Sequence, residues 1–239
     1  MLVAAAVCPC PPLLVPEVAA GAASELDAAR TACVDALGVL AAARPDLLVV
    51  VGVAEPAGEG PHPTGATGSF EGFGVDLSVR LGTLPGDSLP AGRRLPVPLA
   101  VGAWLLERAG WADAPVEGLG VGERLPADGC ALAGKELAAR ADRVALLVMG
   151  DGSACRTVKA PGYLDERAVD FDTAVTRALG EADLAALGSL DASLAYTLKA
   201  AGRAPWQVLA GAAEGAGLGG QLLYADAPYG VGYTVASWS

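Results

Sequence analysis

Three stretches of the chain are apolar almost without interruption: Leu2 to Cys8, Leu47 to Val53 and Val144 to Met149. None alternates with polar residues, and the second is rich in β-branched valine. Such runs predict central strands covered on both faces. The first stops at Pro9-Cys10-Pro11-Pro12, where prolines fix the backbone and withdraw donors from any ladder. The third runs into Gly150-Asp151-Gly152-Ser153-Ala154-Cys155, a glycine-loosened turn.

Between these runs the pattern changes period. Glu17 to Ala43 carries Ala and Leu with charges spaced along it, which predicts an amphipathic helix ended by Pro45. Further helices are predicted at Pro98 to Ala109 (ended by Gly110), Leu132 to Ala141, Asp165 to Leu179, Asp183 to Ala201 with a break near Gly188, and Trp206 to Ala213. Weaker strands are predicted at Val75 to Leu81, Pro115 to Val121, Gln221 to Ala225 and Gly230 to Ser237. Ala54 to Ser69 reads as a long Gly/Pro loop holding the only histidine, His62, and a second Pro/Gly loop precedes Pro98. Alternating strands and helices over 239 residues predict one α/β domain: a mixed central sheet between helical layers, with right-handed crossovers.

Composition sharpens this picture. The chain is 53% hydrophobic and 18% charged, with only 5% aromatic residues, so the core must be built from Ala, Val and Leu. A net charge of -11 argues against nucleic acid and against an anionic membrane surface. No apolar run approaches the ~20 residues that span a bilayer, and the stretch before Cys8 lacks the basic region of a signal peptide. Five dispersed cysteines do not form a disulfide framework and fit a reducing, cytoplasmic setting.

Local motifs narrow the chemistry. Gly150-Asp151-Gly152 is half of a dinucleotide fingerprint, and no Walker-type phosphate loop occurs. A Ser-His-Asp triad would have to use His62, and no nucleophile elbow is present. Cys8, Cys10 and Cys155 stand at two strand ends that should be neighbours. With Asp226 and His62 they invite a Zn²⁺ reading, or a redox pair if a thiol is activated. The plainer reading is that Cys8 and Cys10 are small buried hydrophobes. Arg156-Thr157-Val158-Lys159 and Asp165-Glu166-Arg167 read either as recognition groups at a pocket mouth or as surface ion pairs. Trp104, Trp111, Trp206 and Trp238 read as core residues.

Several segments, in order from residue 3 to residue 238, resemble the catalytic B subunit of class III extradiol ring-cleavage dioxygenases. Pro9-Cys10-Pro11-Pro12 is similar to that family's Pro-His-Pro-Pro opening, and Gly150-Asp151-Gly152-Ser153-Ala154 to its Gly-Asp-x-Ser-His turn. Asp226-Ala227-Pro228-Tyr229 with Gly230-Val231-Gly232-Tyr233 is similar to its Glu-containing end segment and final strand. Gly68-Ser69-Phe70-Glu71-Gly72-Phe73-Gly74 and Ala160-Pro161-Gly162-Tyr163 resemble further landmarks. The resemblance implies an Fe(II) site of two histidines and a glutamate, with a further histidine as acid and base.

Carried over position by position, that site is degraded. Cys10 stands for the first ligand histidine, Ala54 near the second, Ala154 for the acid/base histidine with Cys155 beside it, and Asp226 for the glutamate. The resemblance therefore implies a pocket around Cys8, Cys10, Ala54, His62, Asp151, Ser153, Cys155 and Asp226. Any remaining metal would fall to Cys10, Asp226 and His62. The expected function is a divergent, non-ring-cleaving protein binding a small molecule or partner, with homo-oligomerisation left open. A rebuilt Cys/His/Asp metal enzyme stands second and true catechol cleavage third.

Overall fold

In the computed structural model, which describes residues 1–83 and 93–239, the three apolar runs become adjacent parallel strands at the centre of one sheet. They are β1 (Leu2–Cys8), β2 (Leu47–Ala54) and β7 (Val144–Met149), with β7 lying between the other two. The sheet has seven strands in the order β3-β6-β2-β7-β1-β9-β8. It is completed by β3 (Gly60–His62), β6 (Val116–Gly122), β8 (Gly220–Asp226) and β9 (Tyr233–Trp238). β6, β2, β7 and β1 are parallel; β3 pairs antiparallel with β6, and β9 antiparallel with both β1 and β8. A small hairpin of β4 (Thr67–Ser69) and β5 (Ser78–Arg80) stands apart.

The alternation of strand side chains sorts the core into two layers. Ala4, Ala6, Cys8, Leu48, Val50, Leu147 and Met149 face α2 (Asp27–Ala42) and α3 (Val97–Ala109). Ala5, Val7, Val49, Val51, Leu146 and Val148 face α4 (Ala127–Ala138), α5 (Arg167–Glu181) and α8 (Arg203–Ala213). The predicted α/β sandwich with a mixed sheet is thus present. Small residues bring its layers close: a Cβ added at Gly134 of α4 would lie 2.1 Å from the Val208 carbonyl oxygen of α8. All four tryptophans belong to the packing, with Trp206 and Trp238 fully buried and the Trp111 indole donating to the Ala114 carbonyl at 3.0 Å.

Several local expectations are corrected. The helix expected from Glu17 to Ala43 is three pieces: α1 (Pro16–Ala19), a 3-10 stretch at Ala20–Leu26, and α2. Ala20 takes a positive φ of 49°, which no continuous α-helix tolerates. The helix expected from Leu132 starts at Ala127, where Asp128 and Gly129 conceal its first turn in the sequence. The segment from Asp183 is broken as expected, into α6 (Leu184–Gly188) and α7 (Ala192–Thr197), each N-capped by an aspartate side chain. Only Ser78–Arg80 of the strand expected from Val75 pairs, and the loop from Ala54 to Ser69 contributes β3 and β4. Most of the second Pro/Gly loop falls on residues 84–92, outside the described residues.

Candidate functional site

The parallel strands end on one edge, and the strand registers align their last residues in a row. Gly122 pairs with Ala54, and Tyr233 with Asp226. Extending the β2–β7, β1–β7 and β1–β9 registers by two or three positions sets Ala54 beside Asp151, Asp151 beside Cys10 and Cys10 beside Tyr233. The row across the carboxyl edge is therefore Gly122, Ala54, Asp151, Cys10, Tyr233, Asp226, on the α2/α3 side. Four of the predicted pocket residues, Ala54, Asp151, Cys10 and Asp226, are in it.

Asp151 holds the Pro-rich loop in place: its Oδ1 accepts the Cys10 backbone N–H at 2.8 Å. Burial pushes the Asp151 carboxyl up to about 7, against the hydrogen bonds from Cys10 that favour its charged form. Burial, and then Asp151 itself, pushes the Cys10 thiol well up. Hydrogen bonding with Cys33, followed by burial, does the same for Cys8. Both thiols stay protonated at neutral pH, so neither is an activated nucleophile or a ready metal ligand. Tyr233 is 3% exposed; burial and the neighbouring Asp151 keep its phenol protonated.

A second group of expected site residues is spent on structure. Ser153 is buried and donates to Asp172 of α5 through both its N–H and its hydroxyl, at 2.7 Å each. Arg156 adds an ion pair to Asp172 at 3.1 Å. Ala154 carries no side-chain group and is fixed by backbone hydrogen bonds to Leu198 and Gly162. Cys155 is buried, with its Sγ donating to the Leu198 carbonyl at 3.5 Å. Asp165 and Arg167 pair with each other at 2.6 Å. Arg156 and the Asp165–Arg167 pair thus act as ion pairs.

The expected metal sets do not assemble. His62 lies on β3, opposite Gly118 in the middle of β6, so it sits below the carboxyl edge and four strands from β1. It is 1% exposed, and its Nε2 lies 2.8 Å from the Gly58 carbonyl oxygen. The His62 loop folds outward as an edge strand rather than back over Cys10. Asp226 is exposed, and its Oδ1 accepts the N–H of its own neighbour Ala227 at 2.7 Å. Cys155 belongs to the α4/α5/α8 layer, whereas Cys8 and Cys10 belong to the α2/α3 layer, so the sheet separates them. Among the described residues no three His, Cys, Asp or Glu side chains gather as a metal-binding group. The donors present therefore do not fit the Fe(II) of the resembled family, nor the Zn²⁺ alternative.

The edge does carry a cleft. β2 passes the chain through α3 over one face and β7 passes it through α5 over the other, so their carboxyl ends form a switch point, where open α/β sheets bind ligands. A cavity of about 1020 Å³ opens beside it. Ala54, Leu95, Pro96 and Pro98 give it apolar walls, and Glu55, Glu59, Arg93, Arg94 and Glu123 contribute polar groups. Glycine makes room: a Cβ at Gly120 would sit 2.3 Å from the Gly58 carbonyl oxygen, and one at Gly122 would strike the Glu59 carboxylate at 2.7 Å. Arg93 fixes the 57–61 loop by donating to the carbonyls of Ala57, Glu59 and Pro61. At the rim, the Arg124 guanidinium stacks over the Tyr196 ring at 4.1 Å.

Sequence reasoning missed Asp172, Arg93, Arg124 and Tyr196. Asp172 had a signal: it falls on the apolar stripe of α5 with Ala168, Phe171, Val175 and Leu179, where a carboxylate has to be partnered. The cleft residues had none, since they meet only through the sheet order.

No family model and no curated protein matches the chain. Among solved structures it is similar to the crystal structure of an uncharacterized protein from Escherichia coli K12, with a TM-score of 0.58, 17% identity and 99% of each chain covered. That likeness shows a shared α/β fold over the full length. Among the described residues no helix is long and apolar enough to cross a membrane.

Proposed function

We propose that the chain is a divergent protein of the extradiol-dioxygenase-like class that binds a small molecule at the carboxyl-edge cleft and does not cleave catechol rings. One observation carries this reading: Ala54, which stands near the position of a ligand histidine in the resembled family, contributes only a methyl group to the floor of a cavity of about 1020 Å³. Cys10, farther along the same edge beyond Asp151, is a thiol held protonated by burial and by Asp151. A cleft with apolar walls, a few polar groups and a switch-point location has the form of a small-molecule site. Five dispersed cysteines, all buried and unpaired, support a reducing, cytoplasmic location.

Oxygen uptake with a catechol panel and added Fe(II) should show no turnover, and metal analysis of protein purified without chelator should show no stoichiometric metal. A thermal-shift screen of small molecules should find binders whose effect is lost in Ala54→Trp, whose indole would project into the cleft. Ring cleavage, stoichiometric iron or binders indifferent to Ala54→Trp would overturn the reading.

A further inference from the structure

A second cavity, of about 680 Å³, lies between α5 and the β8–β9 pair and shares no lining residue with the cleft beside Ala54. Its floor holds Ala225 and Thr234, which pair with each other across β8 and β9. Strand alternation turns them away from the α2/α3 layer that takes Tyr233 and Val235. Its wall is one face of α5, because Asp172 with Thr176 and Thr173 with Arg177 are both i, i+4 pairs. The turn after β7 closes one end with Arg156 and Thr157.

Donors outnumber acceptors around this space. Arg156 is pinned at one corner: its Nη1 donates to Asp172 Oδ2 at 3.1 Å, and its backbone N–H to the Gly230 carbonyl at 3.0 Å. Its Nε and Nη2 have no hydrogen-bond partner among the described residues, and the side chain is 28% exposed. Arg177 is exposed and makes no ion pair among the described residues. The Thr176 and Thr234 hydroxyls bond to each other at 3.1 Å, which uses one of their two hydrogens and leaves the other. The Thr157 hydroxyl accepts the Lys159 N–H at 3.3 Å and keeps its own hydrogen.

Two carboxylates also line the cavity, and neither balances Arg177. Asp172 neutralises Arg156 and is further held by the Ser153 N–H and hydroxyl, at 2.7 Å each. Asp226 pairs with Tyr233, so its side chain shares the α2/α3 face, and its Oδ1 accepts the Ala227 N–H. We propose that this cavity is a binding site for a small oxyanion, a carboxylate or a phosphate group. The free edge of the Arg156 fork and the Arg177 guanidinium hold the anion, and the spare threonine hydrogens add to them. Asp172 fixes Arg156 before any ligand arrives, which lowers the ordering cost of binding. The site is separate from the carboxyl-edge cleft and does not rest on the reading of that cleft.

The test is isothermal titration of the full chain at low salt with succinate and, separately, with inorganic phosphate. Sodium chloride at the same ionic strength is the blank. At least one of the two should bind saturably, and the one that binds tells which anionic group the site takes. Arg177→Gln should weaken that binding about tenfold or more. Arg156→Lys keeps a cation beside Asp172 but loses the planar fork, and should weaken it by a similar factor. Arg108→Gln removes a positive charge from α3, in the opposite layer, and should leave it unchanged. Circular dichroism verifies that all three variants fold. No saturable binding of either anion overturns the proposal, as does binding that Arg177→Gln or Arg156→Lys leaves intact. An equal loss in Arg108→Gln overturns it too, since the effect would then follow net charge rather than this cavity.

Discussion

Ser153 and Asp172 are joined twice: the Ser153 N–H donates to Oδ1 and its hydroxyl to Oδ2, both at 2.7 Å. The pair ties the turn after β7 to α5, and Gly152 and Gly232 pack against the same carboxylate, where a Cβ would lie 2.8 and 2.6 Å from it. Truncation to Asp172→Ala strands two buried donors and the Arg156 guanidinium. It should cost about 3 kcal/mol in urea unfolding. Asp172→Asn keeps an acceptor for Ser153 and should cost less.

Stability should carry the mark of Asp151. Its carboxyl titrates at about 7 in the folded protein, against the ordinary value of 3.8. Between those values the folded state holds a proton that the unfolded chain has lost, so this group's contribution to stability falls as pH rises from about 4 to 7. Cys10 and Tyr233 are the titratable groups that face it, and both remain neutral throughout that range. Asp151→Asn should flatten the pH dependence of the urea midpoint in this window; an unchanged slope would refute the assignment.

All five cysteines are buried, and no thiol with a resolved shift is pushed down. Native protein at pH 8 should therefore react with a thiol-specific disulfide reagent far more slowly than denatured protein. Cys10→Ala should leave the metal content unchanged, because among the described residues no group of three donors gathers around Cys10.

Helices α4 and α8 meet backbone to backbone at Gly134 and Gly211, where added Cβ atoms would lie 2.1 Å and 2.4 Å from carbonyl oxygens. Gly134→Val or Gly211→Val should destabilise by about 2 kcal/mol or more, since neither carbonyl can move without shifting its helix. Thermal unfolding measures this directly. The exposed, open Gly72 provides the control, and its replacement by Ala should be nearly neutral.

Much of the fold was legible along the chain because strand burial writes itself as local apolar runs. Leu2–Cys8, Leu47–Ala54 and Val144–Met149 were readable for that reason. Short elements escaped: Gly60–His62 and Thr67–Ser69 pair only because β6 and β5 arrive from elsewhere. Sequence order also misled the site. His62 follows β2 by a few residues, yet it leaves the carboxyl edge by joining the sheet as an outer strand.

The sequence by itself determined that Cys10, Ala54 and Ala154 bring no imidazole to the carboxyl edge, since those identities need no coordinates. Only the tertiary structure decided what stands there instead. Strand alternation sent Cys155 to the opposite layer, and the sheet order put Asp151 between Ala54 and Cys10. Burial then raised both the thiol and the carboxyl. Which groups share a face and lose their water depends on how distant strands pair, and that is settled by packing between segments some 140 residues apart, as with Cys10 and Asp151.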